Sequence, residues 1–129
     1  MNFKKLTPVL YVESIEPCLD FWYRLGFEKT VEVPHEEVLG FVILQKNDVE
    51  IMYQSWDSVA ADIPPLADSP AGGSFLFIEV DDVDFIDRTL NDIPRIVSRR
   101  KTFYGADEVI VREPGDNVIT FAQMPPEGA

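Results

Sequence analysis

The sequence contains a single cysteine, Cys18, and a single histidine, His35. One cysteine cannot form a disulfide within the chain, and one histidine excludes a metal site built on two imidazoles. No stretch resembles a signal peptide, and none is apolar for long enough to span a bilayer. We therefore expect a cytoplasmic protein with no membrane partner.

Basic residues are also scarce: 11 Lys and Arg stand against 23 Asp and Glu, a formal net charge of -12. This balance repels phosphate backbones, so a nucleic-acid partner is not expected, and it favours cationic ligands in any cleft. The sequence has no nucleophilic triad, phosphate-binding glycine loop, thiol redox pair or nucleotide fingerprint. No residue is therefore assigned as catalytic, and enzymatic activity is not favoured.

The 129 residues, 46% of them hydrophobic, predict one domain over residues 1–129, and two of its segments are related. Residues 10–27 superimpose on residues 77–93 after a shift of 68 positions. In both, an apolar run ends in a valine, then an acidic residue and a helix-capping type, Ser14 or Asp82, follow. The apolar helical positions also coincide: Ile15, Cys18, Trp22 and Leu25 match Val83, Ile86, Leu90 and Ile93. The chain therefore contains a duplicated unit.

Three strand candidates follow each helix. They cover residues 27–33, 39–46 and 49–54 in the first half, and 95–103, 107–113 and 118–123 in the second. We predict an α+β fold with two βαβββ modules, about 5–54 and 74–124, whose curved mixed sheets surround a shared cavity. The connector 55–73 is rich in Pro, Gly and Ser and contains a short helical turn around residues 58–61.

The duplicated unit, with "FWYRLGF" at the first helix and "REPGDNVITFAQ" near the end, resembles the vicinal oxygen chelate superfamily. That superfamily includes glyoxalase I, extradiol dioxygenases, fosfomycin-inactivating enzymes and bleomycin resistance proteins, and the resemblance covers about residues 5–124. It implies four metal-ligand positions, matched here by Thr7, Glu50, Phe75 and Thr120. Only Glu50 is a competent ligand, so we expect neither a metal nor another cofactor.

Strand alternation and exposed aromatics predict what a cavity would present to a ligand. Trp22, Tyr53 and Cys18 fall on the helix side and are expected in the core, and His35 is expected in a turn. The predicted ligand-binding residues are Thr7, Val9, Tyr11, Glu50, Met52, Trp56, Phe75, Phe77, Tyr104 and Thr120. This aromatic and aliphatic set suits an organic molecule with flat apolar parts.

Glu50 has two interpretations. In an apolar cavity its pKa would rise unless a cation or hydrogen-bond donors stood nearby. A raised pKa would suit a general base. At the cavity rim it would be a polar anchor, and this interpretation is favoured. Glu108 and the basic run 98–101 are expected to form structural ion pairs.

The resemblance leaves three functions open. The favoured one is a homodimer related to the bleomycin resistance proteins, which binds and sequesters a small, partly aromatic and cationic molecule without metal and thereby gives antibiotic resistance. The alternative is a superfamily enzyme, a lyase, isomerase or dioxygenase, that uses a relocated metal site or acid-base chemistry by Glu50. The third is a structural or regulatory protein with a vestigial pocket.

Overall fold

The computed structural model describes residues 1–68 and 73–126. The chain divides into two compact units, residues 1–71 and 72–129, and each contains one four-stranded mixed sheet. Within the described residues, no helix has the length and apolar character that crossing a membrane requires. The single domain over 1–129 and the shared cavity stay predictions.

The first unit contains the four strands and one helix of the predicted module, followed by two short helices. Its strand order is β1-β4-β3-β2, with β1 parallel to β4 and the other pairs antiparallel. The elements are β1 (Val9–Val12), α1 (Glu16–Arg24), β2 (Glu28–His35), β3 (Val38–Lys46), β4 (Val49–Ser55), α2 (Trp56–Asp62) and a 3-10 helix (Pro64–Leu66).

The second unit repeats this arrangement. Its strand order is β5-β8-β7-β6, again with the first strand parallel to the last and the other pairs antiparallel. The two βαβββ modules and the α+β class are therefore confirmed. The elements are β5 (Phe75–Glu79), α3 (Val83–Thr89), β6 (Arg95–Lys101), β7 (Asp107–Arg112) and β8 (Val118–Gln123).

The predicted apolar stripes are buried except for Ile93, which is half-buried. At α1, Ile15, Cys18 and Trp22 have no exposed surface. The indole Nε1 of Trp22 donates a hydrogen bond to the Tyr53 hydroxyl at 2.8 Å, so the two largest buried side chains of this unit satisfy each other. The core predictions for Trp22, Tyr53 and Cys18 are confirmed.

The helix ends match the sequence only in part. Asp82 caps α3 by accepting a hydrogen bond from the Phe85 amide at 3.1 Å. The prediction for Ser14 is wrong, because α1 begins at Glu16 and its N-cap residue is Ile15, whose backbone is already helical and which makes no side-chain cap hydrogen bond. Gly26 ends α1 with φ of 89°, a conformation that glycine adopts without steric cost.

The connector is more structured than the sequence indicated. Strand β4 runs through Ser55, whose hydroxyl accepts a hydrogen bond from the Ser58 amide at 3.2 Å. This cap starts α2 at Trp56, so the predicted turn around 58–61 is a longer helix. Residues 69–72 of the predicted connector lie outside the described residues.

Arg99 links β6 to its neighbours. Its guanidinium contacts Asp107 at 2.6 Å, Asp84 at 2.9 Å and Asp87 at 3.2 Å. The arginine holds the pKa of Asp107 below its usual range, because it stabilises the ionised carboxylate. The prediction that the basic run 98–101 pairs with nearby carboxylates is confirmed.

Candidate functional site

The first sheet presents an apolar row on the face opposite α1. Strand pairing aligns Val31, Ile43, Met52 and Val9 across the four strands, and directly paired residues share a face. Val9 is 42% exposed and Val31 41%. We call this side of the sheet the first open face. Val9 and Met52 therefore face away from α1, as strand alternation predicted.

Helix α2 covers one end of the first open face. Its first residue, Trp56, packs edge-to-face on Tyr11 with the ring centroids 5.2 Å apart. Gln54 lies beneath and donates hydrogen bonds to Ser58 at 3.1 Å and Asp62 at 3.3 Å. Tyr11 and Trp56, both predicted to contact a ligand, therefore contact each other within this unit.

Glu50 lies on the first open face, where two groups compensate its charge. The Lys5 ammonium is 2.9 Å from Oε2, and the Thr7 hydroxyl donates to Oε1 at 3.1 Å. Lys5, and to a smaller degree Thr7, lower the pKa of Glu50 despite the opposing effect of burial. The pKa of Glu50 therefore does not rise, because the chain itself supplies the nearby cation and hydrogen-bond donor that the sequence-based expectation named as the exception. A fully ionised carboxylate of low pKa is a weak base at neutral pH.

The residues at the four superfamily positions do not fit a metal ion. Thr7 supplies a neutral hydroxyl and Glu50 a carboxylate in the first unit, and the Glu50 carboxylate already binds an ammonium group. In the second unit, Phe75 offers a ring and Thr120 a neutral hydroxyl. In residues 1–68 and 73–126, no group of three or more His, Cys, Asp or Glu side chains is arranged so that it could hold a metal ion, whereas a divalent cation needs three or four good donors.

The second sheet carries a groove with a volume of about 460 Å³, within the range of small-molecule sites. Strand pairing aligns Phe75, Val118 and Arg112 in one row, and Phe77, Thr120 and Ile110 in the next. The groove thus combines an apolar floor with one hydroxyl and one pair of charges. Its lining residues are Gly73, Phe75, Ile96, Ile110, Arg112, Asp116, Val118 and Thr120.

The turn at 113–117 forms one end of the groove. The buried Glu113 carboxylate accepts hydrogen bonds from the Asn117 amide nitrogen at 2.6 Å and from its side chain at 3.0 Å. Asn117 in turn accepts a hydrogen bond from the Ser74 amide at 2.8 Å. A Cβ at Gly73 would overlap the Asp116 carbonyl oxygen, so this close approach requires glycine.

The structure distributes the predicted residues over both units. Six of them, Thr7, Val9, Tyr11, Glu50, Met52 and Trp56, belong to the first unit. In the second, Phe75 and Thr120 line the groove, and Phe77 pairs with Thr120 beside it. Tyr104 lies in the loop after β6, where its ring contacts Phe103 at 5.1 Å and its hydroxyl approaches Glu108 at 3.5 Å.

Six groove residues were not among the predicted ligand-binding residues: Gly73, Ile96, Ile110, Arg112, Asp116 and Val118. Alternation along β7 places Ile110 and Arg112 on one face, and the pairing of Ile110 with Thr120 puts that face on the groove side. The sequence indicated that Asp116 lies in a turn, but nothing in it indicated that this residue lines a groove. Its φ of 69° is a left-handed conformation that Asp and Asn tolerate.

Replacing Lys5 by methionine is expected to raise the pKa of Glu50 toward its ordinary value of 4.5, because the ammonium group is the main cause of its depression. Carboxyl carbon chemical shifts of Glu50, followed by NMR through an acid titration, measure this. Lys4→Met is the matched control and should leave the titration unchanged. An unaltered Glu50 titration in Lys5→Met would contradict the assignment.

No protein-family model matches this sequence, and no curated protein sequence does either. Solved structures are similar, however. Lactoylglutathione lyase from Agrobacterium tumefaciens is 18% identical over 95% of both chains, with a TM-score of 0.75. A bleomycin-binding protein, solved in complex with bleomycin, is 20% identical over 95% of this chain and 100% of its own, with a TM-score of 0.66.

A bleomycin resistance determinant encoded on the transposon Tn5 is 19% identical over 96% of this chain and 100% of its own, with a TM-score of 0.67. Identities at this level establish a shared fold and leave the activity open. The resemblance inferred from the repeated unit is thereby confirmed as a structural one. The chain therefore shares its two-module fold with a lactoylglutathione lyase and with bleomycin-binding and bleomycin resistance proteins.

Proposed function

We propose that this protein binds and sequesters a small, partly aromatic molecule without a metal ion. The observation that carries the proposal is the groove of the second unit, with its apolar floor and few polar groups. The likeness to a bleomycin-binding protein in complex with its ligand supports the same class of function. The expected homodimer belongs to this proposal.

The floor of the groove has apolar surface available for a ligand. Phe75 is 82% exposed and Ile96 46%. Covering about 100 Å² of apolar surface with a flat ring would contribute roughly 2.5 kcal/mol. A planar molecule gains this contact at low conformational cost, because it has few rotors to immobilise. Aromatic ligands are therefore favoured over flexible polar ones.

Sequestration is favoured over catalysis by the chemistry of the groove. The Asp116 side chain is 77% exposed and is paired with Arg112. The Thr120 hydroxyl therefore has no activating base among the described residues that line the groove. These groups can orient a ligand, but they supply neither a nucleophile nor a general base.

A second candidate is a superfamily enzyme, a lyase, isomerase or dioxygenase, favoured by the likeness to lactoylglutathione lyase. It would use a metal held outside the four superfamily positions, or acid-base chemistry by Glu50. The low pKa of Glu50 argues against the second route. Metal analysis of protein purified without chelators distinguishes this candidate, because a stoichiometric transition metal would support it.

Calorimetric titration with bleomycin and a panel of planar aromatic compounds tests the proposal. We expect at least one ligand, bound also after EDTA treatment and recovered unchanged. Phe75→Ala should weaken its binding about tenfold, a loss of about 1.4 kcal/mol, because ring contact with the floor is removed. Phe103→Ala is the matched control, since Phe103 is fully exposed outside the groove lining.

The outcomes separate the parts of the proposal. No binding across the panel, or equal losses in Phe75→Ala and Phe103→Ala, would contradict the groove as a binding site. Binding that disappears on chelation would contradict the metal-free part, and chemical conversion of the ligand would favour the enzyme. Light scattering that finds a monomer at micromolar concentration would contradict the homodimer.

A further inference from the structure

We infer that the ligand of the groove carries an anionic group, a carboxylate on a planar apolar body, and that Arg112 binds it. This inference rests on the proposed function and names the chemical class of the ligand. It is opposite in sign to the expectation from net charge, which favoured a cationic molecule. The earlier expectation rests on the net charge of the whole chain, which acts at long range, whereas this inference rests on a direct contact with Arg112.

Arg112 has hydrogen-bonding capacity to spare. Its Nη1 contacts Asp116 Oδ1 at 3.0 Å, and in residues 1–68 and 73–126 this is the hydrogen bond that its guanidinium makes. A guanidinium carries five N–H donors in a planar fork, so the Nε and Nη2 edge is left for a carboxylate in bidentate geometry. Asp116 is an acceptor and offers nothing further to an anion.

The position of Arg112 suits an amphipathic acid. It follows Ile110 by two residues on β7, so both side chains lie on the groove side. Its strand partner is Val118, which in turn pairs with Phe75. A ring that covers these apolar side chains would place a carboxylate attached to it beside the guanidinium.

The net charge of -12 has little influence at this site, because most of the charged residues lie far from the groove. Charges separated by more than about 8 Å are largely screened at physiological ionic strength. Among the groove-lining residues, the charges of Arg112 and Asp116 cancel. The buried carboxylates nearest along the chain are engaged elsewhere, Glu113 with Asn117 and Glu108 with Arg100.

The existing ion pair is a weak competitor. The side chains of Arg112 and Asp116 are 49% and 77% exposed, and ion pairs of this kind contribute little because water and salt screen them. A ligand carboxylate beside the apolar floor would be less hydrated than Asp116 and would engage two guanidinium donors. Exchange of one carboxylate for the other is therefore expected to favour the bound state.

Three probes of one shape test the inference: 2-naphthoate, 2-naphthamide and 2-naphthamidinium, titrated calorimetrically against the wild-type protein and two variants. We expect naphthoate to bind most tightly. Arg112→Gln should weaken naphthoate about tenfold and leave naphthamide unchanged, because it removes the charge-assisted contact alone. Asp116→Asn should strengthen naphthoate several-fold, because it removes the competing carboxylate, and asparagine tolerates the left-handed backbone there.

The outcomes separate this inference from the proposed function. If naphthamidinium binds most tightly, or Arg112→Gln leaves naphthoate affinity unchanged, the anionic ligand is wrong although the groove still binds aromatic molecules. If none of the probes binds, the inference is wrong, and the compound panel with Phe75→Ala then decides the proposed function. Both variants alter exposed side chains, and their circular dichroism spectra and unfolding midpoints confirm that the fold is retained.

Discussion

Trp22→Ala is expected to lower the free energy of unfolding by about 3–5 kcal/mol, a large part of the stability of a domain this size. The indole is completely buried, and it packs edge-to-face on Phe21 and Phe27 with centroid distances of 4.9 Å. Its loss leaves a cavity between α1 and the first sheet and removes the donor to Tyr53. Urea unfolding followed by circular dichroism measures the change, and Trp56 remains as a fluorescent reporter.

Two milder variants separate packing from hydrogen bonding in this core. Trp22→Phe keeps an aromatic ring, and Tyr53→Phe leaves the buried indole N–H without the acceptor at 2.8 Å. Each is expected to cost about 1–3 kcal/mol. The double variant should cost less than their sum, since neither polar group of this pair is then left behind. Strict additivity would contradict an energetic role for the bond.

The fold could be predicted because its signals are local and occur twice. The apolar stripe that contains Cys18 and Trp22 has helical spacing, and it recurs in phase in the second half. The strand positions followed from β-branched and aromatic runs between turn residues, but the bounds of most strands differ by one or two residues; β6, for example, ends at Lys101. The N-cap of α1 was predicted wrongly because serine is a common capping residue, whereas the N-cap position is occupied by Ile15, whose backbone is already helical.

The candidate site was less predictable because its charges depend on side-chain contacts that periodicity and strand alternation do not indicate. The pKa of Glu50 is set by Lys5, which precedes the first strand in a stretch without periodicity. The pair of Arg112 and Asp116 forms only because the turn at 113–117 folds back on β7. Strand alternation indicates which face of the sheet a side chain such as Phe75 lies on, but it does not indicate which side chains of other strands and turns contact it.

Arg100→Met is expected to lower the free energy of unfolding by roughly 2–4 kcal/mol, because it leaves the carboxylate of Glu108 buried without its cation. The Glu108 side chain is 2% exposed, and Arg100 Nε donates to it at 2.8 Å. The other described contact, from the Tyr104 hydroxyl, is long at 3.5 Å. Urea unfolding at neutral pH measures the loss, and Arg88→Met, at an exposed arginine of α3, should stay within about 0.5 kcal/mol.

Glu108→Gln in the Arg100→Met background should recover most of the lost stability, since an amide of nearly the same shape carries no charge to desolvate. The double-mutant cycle therefore predicts strong coupling between the two positions. A surface ion pair would give a different result, with small and nearly additive losses, because solvent would hydrate the remaining carboxylate. Additive losses would thus place Glu108 in contact with water, and strong coupling would identify its burial as the source of the cost.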